Sequence, residues 1–268
     1  DVSSSGVNPA KVVPRRSSPS KAPRNSAAYA SIGFSPIATI NSAPTPIATS
    51  IVIRPIQIPH IQTINDHISY LTPTEHPLSA NVVIIEGDAF FWVYDVGNHP
   101  AVSEILQKKS EQTGKEIRVI LSHFHPDHIG NLSEISCEAV YQGKNTFRYT
   151  KTGTVIEEDT WFQDGDVWLH LFPIPSSHAK GSLALEVDET WCFLGDAAYA
   201  TQKNGQTVYN AERLLAEIRV LKNVRAPHFF LSHSEPFQQN KEDVLEWMEA
   251  IYEKRKRDES YIKTPQRL

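Results

Sequence analysis

Between Ser122 and Leu132 the chain places three histidines and a carboxylate within six positions, His123-Phe124-His125-Pro126-Asp127-His128, directly after the apolar run Ile117-Arg118-Val119-Ile120-Leu121. That juxtaposition restricts the fold. A buried strand has to end where several neutral imidazoles reach solvent at one edge of a sheet, and apolar packing gives no reason for them to gather there. Imidazole suits zinc, iron, copper or nickel, and the carboxylate narrows the choice toward a hydrolytic zinc or iron site. The remaining ligands are expected downstream.

Composition sets the bounds. With 268 residues and 40% apolar content the chain can bury a sizeable core. No apolar run approaches the ~18 residues that a membrane-spanning helix needs, so no membrane partner is expected. Cys137 and Cys192 lack C-x-x-C spacing and read as small buried hydrophobes in a reducing, cytoplasmic setting.

Charge is uneven along the chain. Residues 1–65 hold six Lys/Arg against one acid, a balance of +5, whereas the rest hold 20 basic and 30 acidic residues, a balance of −10. A body this acidic lacks the clustered cations that nucleic-acid binding needs, so a small-molecule substrate is expected.

Residues 1–53 are Ser/Pro/Ala-rich, with prolines at no fixed period, and read as a disordered segment. Their Arg- and Ser-rich, acid-poor character also suits an organelle leader. From residue 54 to residue 268 the pattern is that of a folded domain.

Strands are expected at Ile56-Gln57-Ile58, Ile68–Leu71, Asn81–Glu86 and Ala89–Tyr94, the last two joined by the hairpin signal Gly87-Asp88. Helical spacing of Val102, Ile105 and Leu106 follows and stops near Gly114, and Ile117–Leu121 returns to strand. The second half repeats the logic. Strands are expected at Ala139–Tyr141, Val167–Phe172, Ser182–Val187, Trp191–Leu194 and His228–Leu231. Helices are expected over Ala211–Leu221, with Leu214, Leu215, Ile218 and Leu221 on one face, and over Lys241–Arg257. Two sheets, each covered by helices, make a four-layer α/β sandwich. The five tryptophans, Trp92, Trp161, Trp168, Trp191 and Trp247, read as core aromatics.

Three later positions extend the ligand run. His178 lies between two strands, Asp196 ends the strand Phe193-Leu194-Gly195-Asp196, and His233 follows the strand beginning at His228. His60, His67, His76, His99, His170 and His228 show no ligand spacing and read as structural.

With Asp95, the His-x-His-x-Asp-His run, His178, Asp196 and His233 in this order, residues 54–268 resemble the metallo-β-lactamase superfamily. The resemblance implies an αββα sandwich with two divalent metal ions at one edge, zinc first, iron or manganese otherwise. It implies one metal on His123, His125 and His178, a second on Asp127, His128 and His233, and Asp196 bridging them. Asp95 falls where a carboxylate supports the ligand loop from behind. A water shared by the metals then supplies hydroxide near neutral pH, and Asp127 orients it and moves its proton.

Departures from the superfamily's patterns narrow the reaction. The β-lactam-hydrolysing members generally carry Cys or Ser where Asp196 stands, which points away from β-lactams. The motif pattern is nearest to small lactone and thioester hydrolases such as acyl-homoserine lactonases and glyoxalase II-type enzymes. Asp196-Ala197-Ala198-Tyr199 matches the lactonases' Asp-x-x-Tyr spacing, so Tyr199 reads either as a hydrogen-bond donor to substrate or as a packing residue. The expectation is a dinuclear hydrolase of a small ester, lactone or thioester. A metal-dependent phosphodiesterase or nuclease, a β-lactam hydrolase and a non-catalytic metal sensor stand as alternatives. Ser177, Lys180, Ser234 and Glu235 mark the rim where substrate identity is to be sought.

Overall fold

The computed structural model describes residues 57–264, so the reading of residues 1–53 as disordered lies outside the described residues. In chain order the first half forms β1 (Ile61–Thr63), β2 (Ile68–Leu71), β3 (Thr74–Glu75), β4 (Leu78–Ser79), β5 (Val82–Glu86), β6 (Phe90–Tyr94), α1 (Pro100–Thr113), β7 (Glu116–Leu121), α2 (Pro126–Ile129), β8 (Ala139–Gln142), α3 (Lys144–Thr150) and β9 (Thr154–Val155). Seven of these strands build one sheet in the order β1-β2-β5-β6-β7-β8-β9, and β3 and β4 pair as a separate ribbon. Gln57 and Ile58 are not in a strand, contrary to the expectation for that segment.

The second half forms β10 (Thr160–Asp164), β11 (Val167–Ile174), β12 (Ser182–Val187), β13 (Trp191–Gly195), β14 (Thr201–Lys203), β15 (Gln206–Asn210), α4 (Ala211–Asn223), β16 (His228–Leu231), β17 (Gln238–Asn240), α5 (Lys241–Glu253) and β18 (Tyr261–Lys263). Its main sheet runs β10-β11-β12-β13-β16-β17, and β14, β15 and β18 make a small third sheet. Helix α5 stops at Glu253, short of the expected Arg257.

Layering follows from which face of each strand is apolar. Ile68, Val83, Ile85, Trp92 and Tyr94 of the first sheet pack against Leu169, Leu171, Leu183, Leu185, Phe193 and Phe230 of the second. Val102 and Leu106 of α1 cover the outer face of the first sheet over Val82, Ile84, Phe91, Val93 and Val119. Helices α4 and α5 cover the outer face of the second sheet with Leu214, Ile218, Leu221, Val244 and Met248. Each large side chain buried this way contributes about 1.5–3 kcal/mol. The αββα order is thus the arrangement that removes the inner faces and most of the outer faces of the two sheets from water.

Trp161 and Trp168 depart from the core reading. They are 59% and 53% exposed, because on β10 and β11 they alternate with Phe162, Leu169 and Leu171, which point into the sandwich. The outer face they occupy lies beyond the reach of α4 and α5. Trp161 instead stacks on His170, whose ring also meets Glu186 at 3.1 Å and Asp159 at 3.2 Å.

Two local devices join the sheets. At one end Asp164 accepts hydrogen bonds from the backbone N–H of Ala89 and Phe90 and from the Trp92 indole, at 2.8–3.0 Å. A side chain at Gly87 would collide with that carboxylate. At the other end Tyr94 donates to the Leu183 carbonyl at 2.8 Å, and the Leu183 N–H donates to the Ser122 carbonyl at 2.8 Å.

Strand direction decides where chemistry collects. β6, β7 and β8 are parallel neighbours, as are β13 and β16. The crossover β6-α1-β7 is started by Pro100 behind the His99 cap and ended by left-handed Gly114. The crossover β13-α4-β16 does the same work in the second sheet. Parallel strands release their carboxyl ends on one edge, and there Asp95, His123, Asp196 and His233 follow β6, β7, β13 and β16.

Candidate metal centre

The loop after β7 enters the short helix α2 at Pro126, so His125, Asp127 and His128 leave a tight turn in different directions. His178 comes from the loop between β11 and β12. Asp196 follows Gly195, whose backbone is left-handed at φ 55° and whose missing side chain makes room for Ser122. His233 and Asp95, at φ 61° and 60°, also hold left-handed backbone that such residues rarely adopt, a strain that clusters at functional sites.

The side chains fall into two groups, His123 with His125 and His178, and Asp127 with His128, Asp196 and His233. In the first, His125 Nδ1 lies 3.0 Å from Nε2 of both His123 and His178. In the second, His128 Nε2 lies 3.5 Å from Asp127 Oδ2 and 3.4 Å from Asp196 Oδ1, and His233 Nε2 lies 2.9 Å from Asp127 Oδ2. Ligands bound tetrahedrally at the zinc–nitrogen distance of about 2.0–2.1 Å sit roughly 3.3 Å apart, so these spacings fit metal coordination.

Asp196 touches both groups. Its Oδ2 is 3.3 Å from His178 Nε2, while its Oδ1 is 3.4 Å from His128 Nε2 and 4.0 Å from His233 Nε2. One carboxylate therefore faces each group with a different oxygen.

The residues behind the cluster orient its rings. Asp95, fully buried, accepts from the Ser122 N–H at 2.8 Å, from the Ser122 hydroxyl at 2.7 Å and from His128 Nδ1 at 2.7 Å. His178 Nδ1 donates to the Ala200 carbonyl at 3.1 Å. With Nδ1 of His128 and His178 occupied, these two rings turn Nε2 inward, whereas His125 presents Nδ1 to the cluster. His128 Nε2 and Asp196 Oδ1 are buried and have no hydrogen-bond partner among the described residues. Buried polar atoms are nearly always satisfied, so this pair fits a bound cation.

Electrostatics agree with that fit. Burial, followed by the imidazoles of His128, His178 and His125, pushes His123 well below the ordinary histidine range and keeps it neutral. Burial and then His178 lower His125 in the same way. For Asp127, burial favours the neutral acid, but the hydrogen bond from His233 and the charges of His128 and His233 outweigh it and hold the carboxyl at about 2. Burial likewise opposes ionisation of Asp196, and His128 again outweighs it, leaving the carboxyl below its usual range. Burial opposes a charge on His128 as well, but Asp95 and Asp196 outweigh it and raise that ring well above the ordinary histidine range. A divalent metal would displace its proton on binding beside the two ionised carboxylates and the neutral His123 and His125.

The centre opens into a cavity of about 560 Å³. His125, Asp127, His178, Asp196 and His233 form its floor, and Gln57, Pro73, Thr74, Glu75 and Leu78 form the facing wall. That wall is the β3–β4 ribbon, tied to the ligand loop by the Ala80 N–H donating to the Asp127 carbonyl at 2.9 Å. The Asn81 side chain accepts from the His233 N–H at 3.1 Å. Neither the ribbon nor Asn81 was expected from the sequence, since a two-residue pairing and a single amide carry no pattern.

The other expected residues are placed as follows. Tyr199 does not line this cavity, and its hydroxyl donates to the Ser232 carbonyl at 2.8 Å, one residue before His233. Ser177 exchanges hydrogen bonds with the Asn210 backbone, and Lys180 is exposed in a neighbouring hollow. His99 caps α1, and His67 pairs with Asp188.

Residues 77–137 match the family model of the metallo-beta-lactamase superfamily. No curated protein sequence gives a significant match. A metallo-beta-lactamase from Pontibacter korlensis superposes with a TM-score of 0.57 at 15% identity, over 74% of this chain and 100% of that one. A mutant flavo di-iron protein from Thermotoga maritima gives 0.55 at 11%, over 76% of this chain and 64% of that one. The stereoselective inverting sec-alkylsulfatase Pisa1 from Pseudomonas sp. gives 0.57 at 14%, over 73% and 42%. The fold is the metallo-β-lactamase fold, and the family model together with these structures supports the superfamily. A metallo-beta-lactamase, a flavo di-iron protein and a sec-alkylsulfatase share this architecture, so the fold does not fix a substrate, and this chain's own side chains decide it.

Proposed function

We propose that the protein is a metal-dependent hydrolase of a small ester, lactone or thioester, with two divalent ions held at this centre. The observation that carries the reading is Asp196, whose two oxygens face two ligand groups while its Oδ1 and the neighbouring His128 Nε2 are buried without a hydrogen-bond partner among the described residues. His123, His125 and His178 would hold one ion, Asp127, His128 and His233 the other, and Asp196 both. When bound, the ions supply Lewis acidity toward a carbonyl oxygen and acidify water so that a nucleophile exists near neutral pH.

The protein's share of the work falls to its own groups. Asp95, Ser122 and the Ala200 carbonyl fix the ring orientations. Asp127 is ionised and on the cavity floor, and the carboxylate oxygen it does not turn toward His233 is available to accept a proton and pass it to a leaving alkoxide or thiolate. Tyr199, through the Ser232 carbonyl, sets the backbone from which His233 projects. Gln57 and Thr74 offer polar atoms on the facing wall and Pro73 and Leu78 offer apolar surface, a mixture suited to a small organic substrate.

The test is metal stoichiometry with a hydrolysis panel of an acyl-homoserine lactone, a glutathione thioester, a β-lactam and an activated phosphodiester. Two metals per chain and turnover of the lactone or thioester are expected. Asp196→Ala should lose one metal and lower kcat/KM by roughly 10²–10³-fold, a typical cost of losing charge stabilisation. Two metals and full turnover in that variant would overturn the bridging role, and a loaded protein silent on the panel would overturn the hydrolase.

A further inference from the structure

Beside the metal cavity lies a second hollow of about 390 Å³, and His178 lines both. Its wall brings together Lys180 from the loop after His178, Lys203 from β14, Arg213 and the cap residue Asn210 from α4, and Tyr261 from β18. The lining contains three cations and no carboxylate, in a chain whose net charge is −5.

Elsewhere on the surface lysines find acids, as in Lys144–Glu157, Lys222–Glu249 and Lys256–Glu259. Lys180, Lys203 and Arg213 have no ion-pair partner among the described residues. Unpaired cations of one sign converging from separate elements repel one another. Such a cluster is not a packing solution.

Two of the cations are nevertheless held in place. Arg213 donates one hydrogen bond to the Ser176 carbonyl at 3.1 Å, and a guanidinium has further donors for a guest. Lys203 Nζ lies 3.6 Å from the centre of the Tyr261 ring, a cation–π contact that holds the ammonium at the hollow. Asn210 caps α4 by accepting from the Arg213 N–H, so the positive end of a 13-residue helix adjoins the same hollow. Phe124, opposite, is stacked on Tyr149 at 4.7 Å with an interplanar angle of 6°, which gives the hollow a flat apolar side.

We propose that this hollow is an anion subsite of the metal centre, seating a carboxylate or phosphate carried by the substrate while its ester or thioester carbonyl lies at His125, Asp127 and His178. The proposal rests on the hydrolase reading for its reaction, and it narrows the substrate to anionic esters and thioesters. It also sets direction. The anionic end lies toward Lys203 and Arg213, and the remaining portion lies toward Pro73 and Leu78, where the only charged residue of the wall is Glu75.

The test has a binding arm and a kinetic arm, both on the full chain. Inorganic phosphate and succinate are titrated calorimetrically into the metal-free protein, into Lys180→Gln/Lys203→Gln, and into Lys222→Gln as a surface control. Millimolar binding of at least one anion is expected in the wild type and control, weakened about tenfold or more in the double variant, as loss of charge-assisted contacts implies. Absent binding, or equal binding in all three proteins, overturns the subsite. Phosphate and succinate report which head group is preferred.

In the kinetic arm the metal-loaded proteins cleave a neutral acetyl thioester and the same thioester ending in a carboxylate or a phosphate. The anionic forms are expected to be preferred by about tenfold in kcat/KM, with the preference lost in the double variant through KM. An equal preference in wild type and variant overturns the subsite and leaves the hydrolase standing. Anion binding without cleavage of any thioester, ester or lactone overturns the hydrolase and leaves the subsite.

Discussion

At the scale of single residues, the seven proposed ligands were legible because their chemistry is rare in an apolar chain. A histidine or aspartate at a strand end stands out against its neighbours in a way that no hydroxyl or amide does. Ser122 and Asn81 hold the site by hydrogen bonds that many polar residues make, so only the fold singles them out. Tyr199 lies between these cases. Its spacing from Asp196 singled it out as either a substrate donor or a packing residue, and the structure puts its hydroxyl on the Ser232 carbonyl beside His233. Tyr199→Phe is therefore expected to weaken one of the two metals by about tenfold, the lower end of the range for residues that orient ligands. Chelator titration followed by metal analysis measures this. Unchanged metal affinity with a lower kcat would instead return the phenol to direct contact with substrate.

Elements were legible where their period was strong, and their faces less so. In α4 the sequence places Leu214, Leu215, Ile218 and Leu221 on one face, whereas the buried set is Leu214, Glu217, Ile218 and Leu221. A carboxylate at helical spacing i, i+3 from Leu214 reads as solvent-facing, yet Glu217 is fully buried and neither oxygen has a partner among the described residues. The same blindness to faces put Trp161 and Trp168 in the core, since nearly every residue from Val167 to Phe172 is large. The three-stranded sheet of β14, β15 and β18 was missed because β18 is far off in sequence and short. Glu217 has a measurable consequence. Burial raises its carboxyl well above the ordinary 4.5, so the folded state keeps a proton that the unfolded state releases. Stability then falls as pH rises from about 4.5 toward neutrality, because over that window the folded state binds more protons. Glu217→Met keeps the volume and removes the charge, and it is expected to stabilise the protein by about 1–3 kcal/mol at pH 7 and to flatten this slope. Denaturant unfolding at several pH values decides, and an unchanged midpoint at pH 7 would show that the carboxyl finds a partner in solution.

At the scale of the molecule the metal centre is also a fastener. His123, His125, Asp127 and His128 follow a strand of the first sheet, whereas His178, Asp196 and His233 belong to the second. Each proposed ion therefore has ligands from both sheets. At the opposite end of β6 the Asp164 carboxylate joins the sheets by hydrogen bonds alone. Removing metal leaves that far clasp, the Tyr94–Leu183–Ser122 hydrogen bonds and the apolar interior intact, but it loosens the ligand loops, where buried His128 Nε2 and Asp196 Oδ1 lose their proposed partner. Ions that bind only the folded state stabilise it by about 2.7 kcal/mol at a free concentration one hundred times their Kd. Since 1 kcal/mol moves the melting temperature of a domain this size by about 2–4 °C, chelation is expected to lower Tm by roughly 5–11 °C per site. The same treatment should speed hydrogen exchange in β7 and β13 near the site more than in β10 and the start of β6. A chelator that shifts neither Tm nor exchange would mean that the cluster closes on itself through His233–Asp127 and His128–Asp196 pairs alone, and that the sandwich does not depend on metal for its edge.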